Sequence, residues 1–329
     1  MSIFCPFCLT EHDGNVCKKD DDTTERRIPQ AYINDVSKGT PVYPIVTIGY
    51  TGCGKTTYLS SLIYSLYHRL PKKWISIRPL NQETIDKIES NYIPALQLGE
   101  FPPPTDKFFE EPLILRLTIY GKRSFAPFRA KKDIILVIYD TKGGTYQTVD
   151  IIKDNFPLIK QIPNLILLID LYGIEKRTID GPKISADMKL HSIVNKLTLA
   201  LDELHAPTKK KNLIVCFTKT DEFWDSKDAE EDFGSIAKRP RELKCDMTIH
   251  CKKDLIKSSE DVLGVIKERY NNFFEIIDDH FGGYCFVTSS NIGCKPTVKL
   301  IDGKEVKTFA GMRYNPMGVV DPILWLLSA

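Results

Sequence analysis

The chain has 329 residues, 42% of them hydrophobic and 27% charged, enough to bury one large α/β core or two modest ones and unlike a disordered chain. Its 45 basic and 43 acidic side chains leave a formal charge of +2, so no global field draws it toward nucleic acid or anionic lipid, and partners must be sought at individual sites. Nine cysteines, odd in number, scattered through strand-like runs and preceded by no signal stretch, point to a reducing, cytoplasmic setting with thiols or metal ligands.

At the N-terminus, Cys5-Pro-Phe-Cys8, His12 and Cys17 form a Cys-x2-Cys-x3-His-x4-Cys set whose soft and borderline ligands suit tetrahedral Zn²⁺. A segment this short cannot build its own core, so metal binding would supply most of its folding free energy, in a structural or docking role. The alternative is free thiols in a tail, and Cys245, His250 and Cys251 form a second cluster from which a different fourth ligand could come. Residues 1–20 therefore read as a zinc-knuckle or ribbon-like module, 21–43 as a charged linker, and 44–329 as one domain. Lys18 and Lys19 are cancelled by Asp20, Asp21 and Asp22, which argues against nucleic acid at the knuckle.

From Pro44 onward, short β-like runs alternate with amphipathic helical stretches, the pattern of a mostly parallel sheet covered on both faces. The first strand spans Ile45 to Ile48, and a helix follows to about Leu70 with Leu59, Leu62, Ile63 and Leu66 on one stripe. Trp74 to Ile77 reads as a strand and Gln82 to Leu98 as a helix, inside an insertion at about 73–111. Leu113 to Tyr120 and Asp133 to Tyr139 read as a hairpin. Further strands are expected at Leu165 to Asp170, Leu213 to Phe217 and Tyr284 to Val287. The helices between them are expected at about Ala186 to Leu204 and Asp254 to His280, and a short apolar helix at Pro322 to Leu327. Residues 225–253, charged and weakly periodic, read as an irregular insertion, and Lys209-Lys210-Lys211 as a solvated loop. No apolar run approaches the ~20 residues a membrane-spanning helix needs.

Gly49-Tyr50-Thr51-Gly52-Cys53-Gly54-Lys55-Thr56 matches the P-loop pattern between a strand and a helix. Glycines are needed because the backbone must wrap closely around phosphate oxygens, with the helix N-terminus adding partial positive charge. The expected phosphate contacts are Gly49, Gly52, Cys53, Gly54, Lys55, Thr56 and Thr57, with the Thr56 hydroxyl on Mg²⁺. Asp140-Thr-Lys-Gly143 closes a strand and places a carboxylate where open α/β sheets bind ligands. Asp140 is the expected second Mg²⁺ contact, Gly143 the sensor of the γ-phosphate, and Thr105 a third Mg²⁺ ligand ahead of the hairpin. Thr218-Lys219-Thr220-Asp221 follows a buried strand. There the Asp221 carboxylate would accept both N–H donors of guanine, which adenine lacks, while the Lys219 stem covers the base. Ser289 and Ser290, in a later polar loop, are the expected contacts to the guanine oxygen.

With these segments in this order, the sequence resembles the P-loop GTPases of the translation-factor and Ras-like (TRAFAC) class over about 44–329. The cysteine module fused ahead of it, with Pro44-Ile-Val-Thr-Ile-Gly49 and Asp321-Pro-Ile-Leu-Trp325, looks like the bacterial double-GTPase conflict-system family. The resemblance implies a three-layer α/β sandwich that binds GTP or GDP with Mg²⁺, and hydrolysis assigned to Lys55, Thr105, Asp140 and Gly143. It also implies a protein effector or activating partner and, through the family, antiphage defence. Nothing in the residues excludes a homo-oligomer. Many members carry a glutamine just after the Asp-x-x-Gly segment; here Gly144 and Thr145 stand there, which implies slow turnover. A module that holds guanine nucleotide without hydrolysis, and an ATPase, are the competing readings.

Overall fold

The computed structural model describes residues 2–17, 25–70, 75–103, 111–120, 131–179, 184–224, 229–240, 249–301 and 304–328. In chain order, β1 (Ser2–Phe4) and β2 (Glu11–Asp13) form a hairpin, and β3 (Val16–Cys17) pairs with β4 (Arg26–Arg27) ahead of α1 (Gln30–Val36). There follow β5 (Val42–Ile48), α2 (Lys55–Tyr64), β6 (Ile75–Pro79), α3 (Gln82–Lys87), α4 (Ile93–Leu98), β7 (Leu113–Tyr120) and β8 (Lys131–Asp140). The second half contributes α5 (Val149–Asn155), β9 (Asn164–Ile169), α6 (Leu171–Ile179), α7 (Ala186–Glu203), β10 (Asn212–Phe217) and α8 (Ala229–Ala237). It ends with α9 (Ile249–Arg269), α10 (Asn271–His280), β11 (Gly283–Thr288), the hairpin β12 (Thr297–Ile301) and β13 (Lys304–Thr308), and α11 (Asp321–Ser328).

Seven strands pair into one sheet in the order β11-β10-β9-β5-β8-β7-β6. Neighbours from β11 to β8 run parallel, while β7 and β6 are antiparallel additions at one edge. The parallel strands read as continuous apolar runs because both faces are covered. On β9, Leu165, Leu167 and Ile169 face one layer, with α7 and α10, while Ile166 and Leu168 face the other, with α2 and α11. This is a three-layer α/β sandwich.

The cysteine-rich N-terminus packs into the first of these layers. Ile3, Phe7 and Leu9 are buried with Tyr139 and Phe156. The Tyr139 hydroxyl donates to the Pro6 carbonyl at 2.6 Å, and that of Tyr32 to Phe4 at 2.8 Å. Two long buried tyrosines thus end on backbone oxygens of the module, which satisfies their polar tips inside the core.

The helical stretch from Gln82 runs through to Leu98, with a π-type turn at Ile88–Tyr92 between α3 and α4. The segment read as an irregular insertion holds α8 and the start of α9. Among its described residues Glu231, Asp232, Lys238 and Arg239 are exposed while Ala229, Ile236 and Ala237 are buried. The helix expected from Asp254 to His280 is two helices, broken at Tyr270 (φ −133°), whose buried ring and hydroxyl reach Glu175 at 2.6 Å. Lys211 also departs from the solvated-loop reading. It is 2% exposed, and its ammonium donates to the carbonyls of Ile159, Lys160 and Ile162.

Candidate functional site

The loop between β5 and α2 carries its glycines for geometric reasons. A Cβ on Gly49 would lie 2.4 Å from the Cys53 sulfur and 3.0 Å from the Leu168 carbonyl oxygen, so no side chain fits there. Gly52 and Gly54 have φ of +86° and +90°, a region that L side chains rarely enter. Alternating left-handed residues of this kind turn backbone amides inward to form an anion cradle, and α2 begins where that cradle ends. Lys55 is 6% exposed and its ammonium folds back to the Gly49 carbonyl at 3.0 Å. A bound phosphate would replace that carbonyl as its acceptor. Cys53 is fully buried, and burial pushes its thiol up, which favours packing over redox chemistry.

Asp140 ends β8 beside β5, in register with Thr47, and is 2% exposed. The chain then crosses directly onto the loop: a Cβ on Gly143 would approach Thr51 Cα to 2.8 Å. Thr141 and Thr47 tie the crossing together, the Thr141 hydroxyl donating to the Thr47 carbonyl at 3.2 Å. A 3₁₀ turn at Gly143–Tyr146 follows and presents Gln147 to the cavity. Thr56 and Asp140 are hard oxygen donors, the type that suits Mg²⁺. Thr105 lies outside the described residues.

The loops after β10 and β11 meet the glycine loop from the other side. The Thr218 hydroxyl donates to the Cys53 carbonyl at 2.8 Å, and the Lys219 ammonium donates to the Gly52 carbonyl at 2.7 Å and to the Asp170 carboxylate at 2.8 Å. Lys219 takes a left-handed backbone conformation (φ +58°) to make that reach. Asp221 is 4% exposed and accepts from the Ser290 hydroxyl at 2.5 Å. Burial raises its carboxyl to about 6, against the lowering effect of the Ser290 bond. Ser289 donates its backbone N–H to the Phe217 carbonyl at 2.8 Å, and the Asn291 side chain reaches the Gly54 carbonyl at 3.4 Å.

These loops enclose a cavity of about 940 Å³, at the upper end of small-molecule sites. Of the residues expected from sequence, Gly52, Gly54, Lys55, Thr56 and Thr57 line it, as do Gly143, Lys219 and Asp221. Gly49, Cys53, Asp140, Thr218, Ser289 and Ser290 stand behind that wall and hold it. Wall or support residues that escape the sequence reading include Asp170, Gln147, Glu222, Ile292 and Lys307. Asp170 carried the same signal as Asp140, a carboxylate at the end of a parallel strand. Lys307 carried none, since it lies in a segment without a motif.

The second candidate is the N-terminal cluster. One ligand atom from each of Cys5, Cys8, His12 and Cys17 lies within 4.8 Å of every other, close to the spread of about 4 Å that Zn–S bonds of ~2.3 Å require. Burial pushes the Cys8 thiol up, and hydrogen bonds from Thr10 and His12 outweigh it, leaving it at about 7. Cys245 lies outside the described residues, as do the side chains of His250 and Cys251.

The strand order and the glycine loop between β5 and α2 define the P-loop NTPase fold in its Ras-like arrangement. No protein-family model matches the chain, and no curated protein matches it. Among solved structures it is similar to the signal recognition particle receptor SRb-GTP/SRX complex from Chaetomium thermophilum. Identity there is 14% over 78% of this chain and 94% of that one, with a TM-score of 0.37. It is also similar to the S. cerevisiae Ski7 GTPase-like domain bound to GDP and inorganic phosphate, with 18% identity over 79% of this chain and a TM-score of 0.32. The chain spans 45% of that second structure. Among the described residues no helix is long and apolar enough to cross a membrane.

Proposed function

We propose that this chain binds guanine nucleotide, hydrolyses GTP slowly with Mg²⁺, and acts as a nucleotide-controlled switch on a protein partner. The observation that carries this reading is convergence: Lys55, Gly143 and the pair Lys219 and Asp221, from three separate loops, share one cavity. In this reading the amides around Gly52 and Gly54, with Lys55, hold the phosphate tail, and the Asp221 carboxylate takes the two guanine donors. Thr56, Asp140 and Thr105 are the oxygen donors that would hold Mg²⁺, which supplies charge neutralisation when bound.

Phosphoryl transfer relies on positioning and charge stabilisation, and Gly144 offers no side chain to orient a water. Gln147, a turn further on, is an amide on the wall, and its displacement from the position just after Gly143 supports a low intrinsic rate. It also keeps alive the reading of a binding module without turnover. Residues 1–20 serve as a zinc module for stability or docking, 21–43 as its connection, and 44–329 as the nucleotide domain. The thiols of Cys53, Cys216, Cys285 and Cys294, outside the zinc cluster, support a reducing, cytoplasmic setting. The double-GTPase likeness supports a role in antiphage defence, which equal phage plaque counts with wild type and Lys55→Ala would remove.

Labelled GTP incubated with purified protein tests the core reading. Bound GTP should convert to GDP far below the 1–1000 per second of ordinary enzymes, excess ATP should not displace it, and Lys55→Ala should bind neither nucleotide. Displacement by ATP as effective as by GTP would make the protein an ATPase, and GTP recovered intact would make it a binding module.

A further inference from the structure

The segment between Ile292 and Val320 matches none of the motifs read from the sequence, yet it forms part of the cavity. It leaves the loop that holds Asp221, builds the β12–β13 hairpin, and returns to bridge Met317 to Ser290 before α11. Its root is firmly held. The Phe309 N–H and the Thr308 hydroxyl both donate to the Gly99 carbonyl, at 2.8 and 2.9 Å. The Asn315 N–H donates to Ile292 at 3.1 Å, and the Arg69 guanidinium donates to the Pro316 carbonyl. Gly99 has φ +74°, and a Cβ there would lie 2.4 Å from Ala310 Cα, so the two backbones touch. Phe309 is 1% exposed and meets the Phe101 ring edge-on at 5.4 Å.

Lys307 is the residue next to this root, so its backbone is fixed although its side chain is exposed. Register pairs it with Val298, and strand alternation puts Lys299 on the other face of the hairpin. Lys307 lines the cavity together with Lys55, Lys142 and Lys219, against two carboxylates, Asp221 and Glu222. Lys219 is paired with Asp170 and Lys55 is directed to the glycine loop, and the hairpin ammonium, with Lys142, adds positive charge to a space suited to a polyanion.

We propose that Lys307 is a nucleotide ligand supplied by the hairpin: its ammonium contacts the phosphate tail and the hairpin forms the outer wall of the nucleotide cavity. This rests on the guanine-nucleotide reading above and adds a further cation to it, from a part of the chain that carries no motif. An ammonium on a flexible stem is suited to that role because it follows phosphate oxygens as a point charge.

The test is a titration of wild type, Lys307→Ala, Lys307→Arg and Lys299→Ala with a fluorescent guanine nucleotide at two salt concentrations, with guanosine as competitor. Lys307→Ala is expected to weaken GDP and GTP about tenfold with a shallower salt dependence, as befits loss of one charged hydrogen bond. Guanosine, which has no phosphate, should compete equally well in both proteins, and Lys307→Arg and Lys299→Ala should behave as wild type. GDP affinity unchanged in Lys307→Ala, or an equal loss in Lys299→Ala, would overturn the contact while leaving the nucleotide site intact. Wild type that binds no nucleotide would overturn the functional reading itself and this contact with it.

Discussion

Asp221 shows how one buried group can set stability and affinity against each other. Its carboxyl is raised to about 6 by burial, so between the ordinary carboxylate range near 4 and pH 6 the folded state holds a proton that the unfolded state has released. The stability this provides is complete at low pH and is lost as pH rises through 6. Guanine needs the opposite charge state, because only the carboxylate accepts both donors. Nucleotide affinity is therefore expected to fall about tenfold per pH unit below 6 while the empty protein grows more stable. Asp221→Asn serves as the control for titration of the phosphates themselves: its affinity should lose the carboxylate component of the pH profile, with preference for GTP over ATP reduced by about 2 kcal/mol, the worth of a charged hydrogen bond. A wild-type profile that follows the variant's would show that Asp221 does not touch the base.

At the level of elements, local chemistry explains what sequence could and could not reveal. The β5–α2 unit was readable because strand, glycine loop and amphipathic helix are contiguous, and each glycine answers a constraint within a few residues. The buried parallel strands were readable as apolar runs. The charge on 225–253 masked α8, whose buried side is only a few small and branched residues wide, and α5 and α6 are short helices whose burial depends on the sheet rather than on a long stripe. Lys211 misled for a related reason: a lysine run looks solvated, yet this ammonium closes the 3₁₀ turn at Pro157–Lys160 by capping its carbonyls. Burial lowers its pKa to about 8. The unfolded chain therefore binds more protons between about 8 and the ordinary 10.5, so the folded state gains stability as pH rises through that window. Lys211→Met should abolish that gain and cost about 1–3 kcal/mol at neutral pH by stranding buried carbonyls, measured by urea unfolding. An unchanged unfolding midpoint across pH would show that the ammonium is not held in the interior.

Over the whole molecule, β8 joins the cysteine cluster to the cavity end of the sheet, a relation that spacing alone could not disclose because Pro6 and Tyr139 are remote in sequence. The Tyr139 hydroxyl holds the Pro6 carbonyl between the Cys5 and Cys8 ligands, and the next residue after Tyr139 is Asp140. A metal that clamps this corner stabilises the folded state by mass action, about 4 kcal/mol when it is present at a thousand times its dissociation constant, which corresponds to a fall on the order of 5–10 °C on its removal. Wild type purified without chelator should hold zinc, and Cys5→Ser should hold much less and unfold earlier. Because the strand end that carries Asp140 then loses its backing, GTP affinity in Mg²⁺ should fall more than that of guanosine, which makes no metal contact. Tyr139→Phe separates the two effects: it keeps every ligand, so it should retain zinc while reproducing part of the loss in GTP affinity. Equal zinc in wild type and Cys5→Ser would refute the metal site. Zinc loss with GTP affinity intact would confine the cluster to stability and sever it from the nucleotide.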